Sequence, residues 1–139
     1  MLRYQLTHPT ILAALASAGH GSRVLVSDGH YPHTTGAHPA AERVYLNLAP
    51  DRMLVTEVLA ALADAVPFEA ATVMTPPPEQ PEPEVFAEFR AALPGLPLDG
   101  LDRHAFYDAA RGRDTALVIA TGDRRTYANL LLTLGVRAD

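Results

Sequence analysis

His20 stands between Gly19 and Gly21, and Asp28 follows eight residues later in the block Ser27-Asp28-Gly29-His30-Tyr31-Pro32. Glycines bend the backbone sharply and leave the enclosed side chain accessible. An imidazole there can take or give a proton near neutral pH; it can equally be a turn histidine capping helix carbonyls. Asp28 ends an apolar run at a loop. There it can bind a ligand at the carboxyl end of a strand or close an Asx-turn. Farther along, Arg103 and His104 precede Phe106 and Tyr107. Arg103 can grip hydroxyls through its planar fork of donors, or pair at the surface with Asp99 or Asp102. Thr121-Gly122-Asp123 leads to Tyr127-Ala128-Asn129, a phenol and an amide that would share one face of a strand. Both bind hydroxyls, and the phenol can pass a proton.

His30, His33 and His38 crowd one loop, and neutral imidazole binds zinc. Their spacing matches no compact ligand pattern such as H-E-x-x-H on a helix. No metal or other cofactor is therefore expected. Gly19-His20-Gly21 is not a nucleotide loop, and no G-x-S-x-G elbow occurs.

Composition narrows the field further. The 139 residues suit one domain, residues 1–139, large enough to bury a core. There is no cysteine, which excludes disulfides, zinc–thiolate sites, iron–sulfur clusters and thiol catalysis. A cytoplasmic setting is compatible with that. Net charge is −5 and the basic residues, all Arg, are scattered, so a nucleic-acid partner is not expected. No apolar run reaches the length of a membrane span, and the first residues read as an amphipathic helix rather than a signal peptide.

Helices and strands must position these groups. His8–Ala18 reads as a helix with Pro9 in its first position, stopped by a left-handed Gly19. Arg23–Ser27 reads as a short buried strand, followed by an irregular loop to about Ala41. Glu42–Leu48 alternates like a strand, and a helix is expected from Pro50 or Asp51 to about Ala65. Phe68–Met74 reads as a third strand. Thr75–Pro83 must be a loop, because proline fixes φ and donates no ladder bond. Glu84–Leu93 reads as a helix, Pro94–Gly100 as a break, Phe106–Arg111 as a short helix and Thr115–Ala120 as a buried strand. Tyr127–Val136 is apolar and fits strand or helix. Strands alternating with helices imply an α/β sheet covered on both faces, with ligands at the carboxyl ends of strands.

Four blocks in this order resemble the ribose pyranase / fucose mutarotase family. They are Gly19-His20-Gly21, Ser27 to Pro32, Arg103 to Ala110 (RHAFYDAA), and Ala120-Thr121-Gly122-Asp123 leading to Tyr127-Ala128-Asn129. Each block alone is weak; their joint order and the step from His20 to Asp28 are fairly specific. The opening helix and the terminal Leu-Gly-Val extend the resemblance over nearly the whole chain. It implies a three-layer α/β/α sandwich with a central, mostly parallel sheet whose last segment is a strand.

The resemblance also implies a function: cofactor-free interconversion of the anomers or ring forms of a monosaccharide. His20, Asp28 and Tyr127 would be catalytic. Asp28, His30, Arg103, Tyr127, the Ala128 backbone and Asn129 would hold the sugar. The partners would be that sugar and further copies of the chain, in a ring-like homo-oligomer of eight or ten subunits with sites at or near subunit contacts. Arg103 resembles the fucose branch, since the ribose branch tends to carry His there. A longer Gly112–Asp114 stretch and the unusual Tyr31–Ala41 loop depart from the family pattern and bear on substrate identity. Competing readings are a non-catalytic sugar-binding accessory of a transport system, a metal-dependent hydrolase or isomerase, and an inactive assembly protein.

Overall fold

Val24, Leu25, Val26 and Ser27 are all buried, and this run is the centre of the molecule. A computed structural model describes residues Met1–Asp139. Strand β1 (Arg23–Ser27) pairs in parallel with β5 (Thr115–Ala120), which pairs in parallel with β2 (Glu42–Tyr45). On its other side β1 meets β6 (Leu130–Leu134), which runs antiparallel to both β1 and β3 (Phe68–Met74). Parallel to β3 lies the edge strand β4 (Leu98–Leu101). The order β2-β5-β1-β6-β3-β4 thus has one reversed strand among six.

Successive β1 side chains point to opposite faces, as strand geometry requires. Val24 and Val26 join a core built with α1 (Pro9–Ser17), α2 (Val55–Ala65) and α3 (Val85–Ala92). Leu25 joins a second core with Tyr31, Ala37, Phe106 and Ala110, beneath α4 (Arg103–Ala110) and the loop after β1. These two cores make the three layers. A strand buried on both faces must be apolar throughout rather than alternating, which is the pattern in β1 and β5.

Several boundaries differ from the sequence reading. α2 starts at Val55, not near Asp51, because Asp51 and Met53 take positive φ values of 57° and 59° and turn the chain. The helix opens with Glu57 Oε2 accepting from Leu54 N–H at 2.6 Å, and Asp123 Oδ2 accepting from Val55 N–H at 3.1 Å. β2 ends at Tyr45 rather than Leu48. β4 falls inside the expected Pro/Gly break, and α4 starts three residues before Phe106, capped by Asp102 accepting from Ala105 N–H at 2.9 Å. The left-handed glycine after α1 is Gly21, with φ 85°, rather than Gly19. Gly122 is needed for close approach: a Cβ there would meet the Ala49 carbonyl oxygen and, at 2.6 Å, that of Arg52. Tyr127 and Asn129 lie in the turn before β6, not in a strand, and Tyr127 has φ 64°.

Candidate active site

Asp28 emerges from the end of β1 and is 2% exposed. Its Oδ1 accepts from His30 N–H at 2.9 Å, an Asx-turn. Its Oδ2 accepts from the Asn129 side-chain amide at 2.9 Å, while its own N–H donates to Asn129 Oδ1 at 2.9 Å. Burial pushes the Asp28 carboxyl above the ordinary carboxylate value, against the pull of the His30 N–H and the Asn129 amide. The Asx-turn is thus present, and the same residue stands at the carboxyl end of β1.

A cavity of about 440 Å³ opens above Asp28. Asp28, His30, Arg103, Tyr127 and Asn129 converge on it from three separated stretches of chain. Its remaining wall comes from Tyr31, Met74, Gln80, Tyr107 and Thr126. Arg103 makes no ion pair with Asp99 or Asp102, so its guanidinium is free to face a ligand. The Tyr107 and Tyr127 hydroxyls have no partner in the chain either. Asn129 is largely committed to Asp28, and its two hydrogen bonds orient that carboxylate. Ala128 is fully buried outside the cavity wall, and its N–H donates to Arg125 O at 3.3 Å.

The loop histidines make separate contacts. His30 Nε2 donates to Arg124 O at 3.2 Å, His33 Nε2 donates to the Asp28 carbonyl at 2.9 Å, and His38 Nδ1 accepts from Ala40 N–H at 3.1 Å. Arg43 pins this loop by donating to the carbonyls of His33, His38 and Ala41. Asp123 is structural and fully buried. Burial would raise its pKa, but the Arg125 side chain and N–H together with Val55 N–H outweigh that and hold it below the usual range. Arg125 also reaches Glu88 of α3 at 2.9 Å.

His20 is not in this cavity within one chain. β1 separates it from Asp28, roughly 13 Å of strand. At its own end of the sheet His20 Nε2 lies 2.8 Å from Glu69 Oε2, and both side chains are well exposed. Glu69 sits where β3 slips register against β6, an irregularity that re-aims a side chain. Gly21 N–H donates to Leu134 O at 2.9 Å, fastening the His20 turn to the end of β6. A groove of about 630 Å³ between α1 and the β2 edge is lined largely by Ala, Ser, Thr and Pro, and gathers no comparable chemistry.

The profile of the RbsD / FucU transport protein family matches residues 1–137. The chain belongs to this family. The fucose mutarotase of Streptococcus pneumoniae, solved in complex with L-fucose, superposes with a TM-score of 0.81 at 21% identity over 94% of both chains. Bacillus subtilis RbsD complexed with D-ribose gives 0.81 at 19% identity over 99% of both chains. FucU from Bifidobacterium longum gives 0.80 at 25% identity over 94% of both. These similarities establish the α/β sandwich for this family member.

Sequence reasoning missed Met74, Gln80, Tyr107 and Thr126 in the cavity wall and Glu69 beside His20. Met74 and Tyr107 sit beside elements that were recognised, at the end of β3 and inside the RHAFYDAA block. Gln80 and Glu69 carry no sequence signal, since only the sheet order brings them to their places.

Proposed function

We propose that the protein is a cofactor-independent isomerase, a monosaccharide mutarotase or pyranase acting through one domain over residues 1–139. The carrying observation is the convergence of Asp28, Arg103, Tyr127 and Asn129 on one cavity whose Arg103 and Tyr127 polar groups are unpartnered. Ring opening needs a proton removed from the anomeric hydroxyl and one delivered to the ring oxygen. Closure on the other face, or through another hydroxyl, reverses those transfers. One positioned acid–base group supplies roughly 10²–10⁴-fold, and orientation of the sugar adds to it.

His20 is the residue for that proton in this reading. Glu69 accepts from Nε2, which fixes the tautomer and leaves Nδ1 as the base. Because β1 keeps His20 from the cavity of its own subunit, the site is completed by His20 of a second copy. Tyr127 lines the cavity and in this reading protonates the ring oxygen, while Asp28 and Arg103 grip hydroxyls. This requires a homo-oligomer, and a closed ring of eight or ten subunits satisfies every site at once. A cytoplasmic free sugar is the substrate in this reading, and the family resemblances bring L-fucose and D-ribose forward as candidates.

A non-catalytic sugar-binding accessory is the second reading, favoured by the separation of His20 from the cavity in one chain. Saturation-transfer NMR with L-fucose, D-ribose, D-galactose and L-rhamnose decides between them. Accelerated exchange that His20→Ala abolishes while sugar still binds supports the isomerase. Binding without acceleration of any of these sugars supports the accessory.

A further inference from the structure

The cavity's polar groups divide into those already engaged and those free. Asp28 and Asn129 hold each other, and His30 is held by Arg124 O. Arg103, Tyr107 and Tyr127 are free, and so is the side-chain amide of Gln80, which makes no hydrogen bond in the chain. Gln80 reaches the cavity from the loop between β3 and α3. The structure assigns to Gln80 the selection of a neutral sugar hydroxyl, as a specificity-determining residue in the mutarotase site. This rests on the isomerase reading above.

The loop is built to hold its position before a ligand arrives. Pro76, Pro77, Pro78, Pro81 and Pro83 fix φ on both sides of Gln80. Gln80 N–H donates to Pro77 O at 2.9 Å and closes a turn under the amide. Glu82 is clamped by the Arg90 guanidinium of α3, with Nη1 at 3.0 Å from Oε2. A wall ordered in advance contributes binding without the entropy cost of ordering a loop.

Gln80 carries both donors and an acceptor, which matches a hydroxyl that donates and accepts.

The test measures exchange by saturation transfer for wild type and Gln80→Ala. The sugars are the best turned over among L-fucose, D-ribose, D-galactose and L-rhamnose, and its series of monodeoxy analogues. Gln80→Ala is expected to raise KM about fivefold, the scale of one net hydrogen bond, with kcat within about twofold. That penalty disappears for one deoxy analogue only. An unchanged KM for Gln80→Ala, or an equal penalty for every deoxy analogue, overturns the assignment while leaving the isomerase intact. Wild type that accelerates none of the sugars removes the isomerase reading and this inference together.

Discussion

Asn129 holds Asp28 at two points: its amide oxygen accepts from the Asp28 N–H at 2.9 Å, and its amide nitrogen donates to Asp28 Oδ2 at 2.9 Å. The pair ties the end of β1 to the turn before β6, residues 101 apart in sequence. Asn129→Ala leaves a buried N–H and a buried carboxylate oxygen without partners. The expected cost is about 1–3 kcal/mol of stability, with at least a tenfold loss in sugar affinity as the carboxylate loses its orientation. Thermal unfolding and titration with the preferred sugar measure the two effects separately. A fully stable variant that binds normally contradicts the positioning role.

The split between His20 and the cavity is directly testable. His20→Ala and Tyr127→Phe are each expected to abolish catalysed exchange. Unfolding them together and refolding the mixture at equal ratio should restore roughly a quarter of wild-type activity, since random assembly rebuilds that share of two-subunit sites. Mixtures as inactive as the separate variants would show that the two residues do not serve one site.

Asp28 should titrate above its ordinary value of 3.8, because burial disfavours its charge more than the surrounding donors favour it. Its folded pKa is raised, so its contribution to stability is present below 3.8 and is lost as pH rises through the raised value. Ionised Asp28 thus opposes folding while serving the site. Sugar binding should weaken as pH falls through the same raised value. Carboxyl carbon shifts read by NMR give the midpoint, and a value at or below 3.8 contradicts the burial argument.

Asp123 behaves in the opposite sense. Its folded pKa is lowered, so its stabilisation is present above 3.8 and is lost as pH falls through the lowered value. Asp123→Asn leaves Arg125 without its buried partner and weakens the cap on Val55. A cost of about 2–3 kcal/mol at neutral pH is expected, lessened because Arg125 is partly exposed. Urea denaturation should show the gap between variant and wild type narrowing on acidification below 3.8. A gap independent of pH would mean the charge on Asp123 is not what stabilises.

The strands Arg23–Ser27 and Thr115–Ala120 were readable because two-sided burial demands near-continuous apolar stretches, and the residues supply them; Phe68–Met74, interrupted by the exposed Glu69, buries its second half only. β4 was not, because Leu-Asp-Gly-Leu has no strand pattern of its own and is ordered by parallel pairing with β3. Tyr127–Val136 was ambiguous from periodicity. Its placement between β1 and β3, with four buried residues in Leu130–Leu134, decides for a strand. In the cavity wall, Asp28 was readable because it ends the recognisable strand β1, and Arg103 and Tyr127 because they stand in blocks that carry the family resemblance. The distance between His20 and Asp28 was also implicit, since a five-residue strand lies between them. The His20–Glu69 contact was not, because it depends on where β6 inserts.

The reversed direction of β6 sets the spacing between the two ends of the proposed site. Its start carries Asn129 to Asp28, and its finish holds Gly21 and so the His20 turn. One rigid ladder therefore acts as a gauge between the two ends. In the proposed assembly, subunits that unite these ends would repeat at a pitch set by backbone pairing, and lengthening or shortening that strand would put each copy out of step with the next.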